Sequence, residues 1–75
     1  MNEGIRLIGW FRTNQCDAIV TYTGVKQWNK RIYCLRTYRR STNKTNTRFG
    51  TRKQIEQMIS TFRPRVDFEW PKEDL

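Results

Sequence analysis

The stretch Ala18-Ile19-Val20-Thr21-Tyr22-Thr23 decides how the rest of the chain reads. Five of its six side chains are β-branched or aromatic, the types that fit a pleated, half-buried surface. As a strand it puts Ala18, Val20 and Tyr22 on one side and Ile19, Thr21 and Thr23 on the other. Downstream, residues 24–29 read as a turn, and residues 30–38 as a further strand whose apolar centre, Ile32-Tyr33-Cys34-Leu35, predicts burial on both faces. Upstream, Asn14 and Gln15 suit a turn, and residues 5–11 read as a first strand in which Gly9 marks a bulge or a point of close approach. Together these predict a three-stranded meander. Trp10 is expected on the opposite face from Leu7 and Phe11, on a second, partly exposed surface.

Beyond residue 40 the pattern changes. Residues 41–47, Ser-Thr-Asn-Lys-Thr-Asn-Thr, have no hydrophobic anchor and predict an exposed, mobile loop that a polyanion could order. Thr51-Arg52-Lys53-Gln54 then matches a capping box, in which the Thr51 hydroxyl accepts from the Gln54 amide and the Gln54 side chain reaches back. Ile55, Met58, Ile59 and Phe62 follow at i, i+3, i+4 and i+7, one apolar stripe of a helix that Pro64 stops. Val66, Phe68 and Trp70 alternate with Arg65, Asp67 and Glu69, the pattern of a half-buried strand at a sheet edge, where a second copy of the chain could pair to give a homodimer. The expected class is α+β: a small antiparallel sheet in the order β-β-β-α-β with one helix packed on one face. Residues 1–70 are read as a single basic domain and 71–75 as a short acidic tail.

A chain of 75 residues has a thin core, and with 36% hydrophobic and 29% charged residues it has little apolar surface to spare. Fifteen Lys and Arg against seven Asp and Glu leave a net charge of +8, a self-repulsion that a polyanion would relieve. The charge is uneven: Asp67, Glu69, Glu73 and Asp74 sit in the last nine residues, whereas residues 25–53 hold ten cations and no acid. No apolar run approaches the roughly 20 residues that span a bilayer, and Arg6 and Arg12 interrupt any secretory leader, so the protein is expected in the cytoplasm and at no membrane. The chain has two cysteines and no histidine, which excludes a structural zinc site from a single chain; no metal and no cofactor is expected. Without histidine, Cys16 and Cys34 are poor nucleophiles, and no carboxylate pair stands at catalytic spacing beside the basic segment, so the chain reads as non-enzymatic.

The candidate site is therefore the basic segment with its interleaved aromatics. Lys26, Lys30, Arg31, Arg36, Arg39, Arg40, Lys44 and Arg48 are the candidate phosphate contacts, and Trp28, Tyr33 and Tyr38 the candidate platforms for unpaired bases. Arg52 and Lys53 add two cations beside the free amides of the helix start, where one phosphate would sit. If the segment folds back as a hairpin, Arg36, Arg39, Arg40, Lys44 and Arg48 form one cationic ridge. About five to seven such contacts would give a log K against log salt slope of roughly −4 to −6. The bland alternative is a solvated hairpin that keeps the protein soluble. RNA is preferred over DNA because a flexible basic loop and interleaved aromatics suit unpaired bases; an acidic protein surface is the partner of another class that the same ridge would fit.

Two family resemblances bear on this. Asn46-Thr47-Arg48-Phe49-Gly50 followed at once by a helix, after a basic meander containing Trp28 and Tyr33, is similar to the three-strand-plus-helix DNA readers of the AP2 and integrase N-terminal kind. That resemblance implies that the sheet enters the major groove, with Arg31, Tyr33 and Arg36 as readers. Gly9-Trp10-Phe11-Arg12 after an apolar first strand, in a small, basic, Asn/Thr/Lys-rich chain, resembles the small early proteins of T4-like phages that neutralise host toxin–antitoxin systems, of the ToxN inhibitory factor type. That likeness implies a phage accessory factor in the host cytoplasm that binds RNA and inhibits a toxin ribonuclease or another host defence.

Overall fold

In the computed structural model, which describes residues 4–62 and 68–72, four strands pair antiparallel in chain order. They are β1 (Arg6–Arg12), β2 (Cys16–Gln27), β3 (Lys30–Arg39) and β4 (Lys44–Gly50), and α1 (Arg52–Ser60) follows. The class is the expected small α+β fold with one helix on one face of an antiparallel sheet, but the order is β-β-β-β-α among the described residues. The difference lies in residues 41–47: the turn occupies residues 40–43, and the polar run from Lys44 onward is a strand paired along β3 from Arg39↔Lys44 to Tyr33↔Gly50. Backbone pairing needs no apolar alternation, so an edge strand that is exposed along most of its length leaves no hydrophobic signal.

Alternation in β2 and β3 sends Ala18, Val20, Tyr22, Tyr33 and Leu35 to the helix side, where all five are buried. Ile55 and Ile59 complete that core, with Met58 and Phe62 packed partly over it. The helix begins as its sequence predicts: the Thr51 hydroxyl accepts from the Gln54 amide at 3.5 Å, and Gln54 Oε1 accepts from the Thr51 amide at 2.9 Å. In β1 the register slips between Leu7↔Thr21 and Gly9↔Val20, a bulge that turns both Ile8 and Gly9 toward the core. The bulge therefore puts Leu7 on the same face as Trp10, against the simple alternation read from sequence; Phe11 alone lies opposite, and is buried.

Residues 68–72 close the core. Glu69 donates its amide to the Ile8 carbonyl at 2.9 Å, which lays this segment along β1, and the Phe68 ring occupies the space above Gly9. Phe68 to Trp70 form no strand; they pack as a strap across the sheet, and the rest of the expected edge strand, residues 65–67, lies outside the described residues. Trp70 meets Tyr33 edge-on at 4.8 Å between centroids, so its side chain is a core group of its own chain. Six rings run in sequence through the core, Phe62 to Phe11 to Phe68 to Trp70 to Tyr33 to Tyr22, each 4.8–6.4 Å from the next. Arg31 caps one end over Tyr22 at 5.6 Å, and Arg52 lies over Trp70 at 5.1 Å.

Past the Tyr22↔Tyr33 pair, β2 and β3 continue as a two-stranded arm, since β1 pairs no further than Tyr22 and β4 no further than Tyr33. Three residues of β2, Thr23 to Val25, stand against Ile32 alone, a bulge that Gly24 allows with φ +86°. The Thr23 hydroxyl holds it by donating to the Ile32 carbonyl at 2.7 Å. The turn itself is the two residues Trp28 and Asn29, at φ 56° and 61°, in place of the longer turn expected over residues 24–29.

Candidate nucleic-acid interface

The helix covers one side of the sheet and leaves the other open. Of the chain's ten aromatic residues, six form the core series just described, and the remaining four are Trp10, Trp28, Tyr38 and Phe49. Trp10 and Phe49 lie on the open face, 63% and 62% exposed, with Leu7 and Ile19 exposed beside them. The register places their neighbours: Trp10 pairs with Ile19, Ile19 with Arg36 and Arg36 with Thr47, one row across all four strands. Arg36 therefore stands about 10 Å from Trp10, two strand spacings away. Phe49, two residues beyond Thr47 on β4, is its diagonal neighbour at about 7–8 Å. The next row holds Arg12, Asp17, Tyr38 and Thr45. Tyr38 is half-buried, and its hydroxyl donates to Asn43 Oδ1 in the β3–β4 turn.

Among the described residues Asp17 is the one acid on this face, and two arginines hold it. Arg12 Nε donates to Asp17 Oδ1 at 2.8 Å and Arg40 Nη1 to the same oxygen at 2.7 Å, while Arg40 Nη2 donates to the Thr13 carbonyl at 2.6 Å. Arg36 makes no ion pair with any described residue. The open face thus combines two exposed rings, an uncompensated guanidinium between them, and the hydroxyls of Thr21, Thr45 and Thr47. Unpaired bases stack on such rings and on guanidinium planes, and hydroxyls donate to or accept from base edges and ribose.

The thirteen residues singled out from sequence divide among several places. Arg36 and Tyr38 lie on the open face, and Trp28, 89% exposed, sits at the arm tip with Lys26 and Lys30 exposed beside it. Arg39, Lys44 and Arg48 are exposed but share the helix side, because they pair in register with one another and with Leu35. Arg48 lines a hollow there with Thr37, Asn46, Met58 and Phe62. The segment does fold back as a hairpin, but the pleat divides its cations between two faces, so the single ridge of Arg36, Arg39, Arg40, Lys44 and Arg48 does not exist. Arg40 belongs to the Asp17 clamp.

Three of the thirteen are structural. Tyr33 is fully buried and Arg31 is 8% exposed, both on the helix side, so neither can stack a base or read a groove. The reading surface of Arg31, Tyr33 and Arg36 that the AP2-like resemblance implies is thereby split across the sheet. Arg52 donates through Nε to Glu56 Oε1 at 2.7 Å while lying over Trp70. At the helix start this leaves Lys53, exposed on the rim of a cleft of about 470 Å³ that Lys30, Arg31 and Arg52 also line.

The open-face residues not among the thirteen are Leu7, Trp10, Ile19 and Phe49, of which Trp10 lies, as expected, on a second, exposed surface opposite Phe11. Alternation of Ile19 against Val20 marked one of them, but Leu7 joins Trp10 only through the β1 bulge, and Phe49 joins them only through a strand with no apolar pattern. Among the described residues there is no group of three or more Cys, Asp or Glu that could hold a metal ion, and no helix long and apolar enough to cross a membrane. Comparison of the chain with protein-family models, with curated proteins and with solved structures returns no match.

Proposed function

We propose that this is a non-catalytic RNA-binding protein that lays unpaired nucleotides across the open face of its sheet. The observation that carries the reading is the pair of exposed rings, Trp10 and Phe49, on either side of Arg36, on a face whose one described acid is already held by two arginines. One base stacks on Trp10 and one on Phe49, with the Arg36 guanidinium taking a phosphate or a third base plane between them. The net charge of +8 brings the polyanion in, and counterion release adds to affinity. Duplexes fit less well, since their bases are already stacked and the groove-reading trio is split. RNA is preferred to single-stranded DNA because Thr21, Thr45, Thr47 and Tyr38 offer hydroxyl partners for the ribose 2′-OH.

In physiological terms, the likeness to phage antitoxins supports a role in the host cytoplasm, with the bound RNA bringing the protein to a toxin ribonuclease. The non-catalytic part of the reading rests on the absence of histidine and on the pairing of Asp17 and Glu56 with arginines.

The test is fluorescence anisotropy of the nuclease-treated protein with matched single-stranded RNA, double-stranded RNA and duplex DNA over a salt series. Single-stranded RNA should bind tightest. Since about three or four cations reach one face, the log–log salt slope should be roughly −2 to −3. Tighter binding to duplex DNA would overturn the reading in favour of a groove reader. No binding to any of the three at moderate salt would move the open face to a protein partner.

A further inference from the structure

The arm carries a feature the open face does not need. Trp28 occupies the first position of a two-residue turn at φ 56°, a left-handed conformation that favours Gly, Asn or Asp and disfavours a bulky side chain. Its neighbour Asn29, at φ 61°, is a residue type the turn prefers. Trp28 gains nothing from packing in return: it is 89% exposed, the most exposed of the large hydrophobic side chains, and touches none of the six core rings. A ring kept in water on a strained backbone, on an arm that projects past both neighbouring strands, serves something outside the chain.

Resting on the reading of the open face as an RNA platform, we infer that Trp28 is a second stacking site, separate from that face, which takes an unpaired base of the same RNA strand. The charge and the geometry favour this occupant. Lys30, exposed and without an ion pair among the described residues, adjoins the tip and is six residues from Arg36 along β3, about 20 Å at the rise of a strand. A stacked strand rising about 3.4 Å per nucleotide covers that span with about six nucleotides. RNA long enough to reach both sites holds the second at high effective concentration once the first is bound; a short one reaches only one.

The experiment compares a tetrauridylate with a dodecauridylate on the full chain and on Trp28→Ala. The longer ligand gains about ninefold merely from its larger number of binding registers, and a second engaged site multiplies this by roughly tenfold or more. For the native protein the length advantage should therefore be near a hundredfold. Trp28→Ala should bring it down to about ninefold while leaving tetranucleotide binding unchanged. Because the side chain is exposed, an unchanged circular dichroism spectrum is expected for the variant. An equal length advantage in both proteins would overturn the second site and leave the open-face reading standing. Absence of binding by the native protein at either length would overturn both.

Discussion

Arg40 Nη1 lies 2.7 Å from Asp17 Oδ1, an ion pair that ties the residue just past β3 to the start of β2. Arg12 Nε shares the same oxygen at 2.8 Å, so one carboxylate holds two guanidiniums at the rim of the open face. Replacing Asp17 by Asn would raise the net charge by one and release both arginines toward a ligand. Single-stranded RNA affinity should rise several-fold, and because the pairs are part-exposed the stability cost should stay within about 1 kcal/mol. Titration of RNA into Asp17→Asn checks this; weaker binding would show that the clamp, by fixing the two side chains, positions a ligand contact.

Arg36 and Arg39 are three residues apart on one strand but on opposite faces. Arg36→Ala should weaken RNA binding for every sequence and lower the magnitude of the salt slope by about one contact, whereas Arg39→Ala should change affinity much less. Equal losses for the two variants in a salt titration would place the ligand along the hairpin edge instead of on the open face.

Trp10→Ala and Phe49→Ala each remove a stacking surface, at an expected cost of about 1–3 kcal/mol in binding. Both side chains are mostly in water, so the melting temperature should hold. A large drop in melting temperature with RNA affinity intact would make them structural groups.

Gly9 has no room for a side chain: an added Cβ would stand 2.9 Å from Phe68 Cε1 and closer still to the ring's near edge. Gly9→Ala should therefore lift the strap from the sheet and cost about 1–3 kcal/mol, read as a lower midpoint in urea or thermal unfolding. Binding by the fraction that stays folded should be unaltered, because Phe68 and the open face lie on opposite sides of the sheet.

Tyr33 and Tyr38 look alike in sequence and should behave differently. Tyr33→Ala removes a ring packed against Tyr22 and Trp70 and should cost about 3–5 kcal/mol, enough to unfold much of a small domain. Tyr38→Phe removes one exposed hydroxyl contact to Asn43 and should leave the melting curve nearly in place. Circular dichroism melts of the two variants separate these outcomes.

The contrast shows what the chain's pattern could reveal. The helix was legible because its cap and its stripe are local: Thr51 and Gln54 satisfy each other, and Ile55 and Ile59 recur at the helical period. The alternation of β2 and the close approach at Gly9 were legible for the same reason. Tyr33 was misplaced because an aromatic among cations has the composition of a binding site whichever way the pleat turns it. β4 was missed because Lys44 to Gly50 pairs through its backbone, and the arm's turn because Trp28 is among the residues least suited to a left-handed position. Phe49 joined Trp10 only through that unread strand, whereas Trp10 itself is set opposite Phe11 by simple alternation.

The hydrogen bond from Glu69 to Ile8 bears on the order in which the molecule folds. Each strand pairs with its neighbour in the chain, whereas the strap brings Glu69 back to Ile8 across the whole sheet and helix in sequence, a long closure with a larger entropic cost. The neighbouring strands can therefore pair first, leaving a sheet whose outward face is already in finished form while its inward face beside β1 is still wet. In pulsed hydrogen exchange during refolding the amides of β2 and β3 should be protected before the Glu69 amide, and simultaneous protection would make the strap part of the folding nucleus.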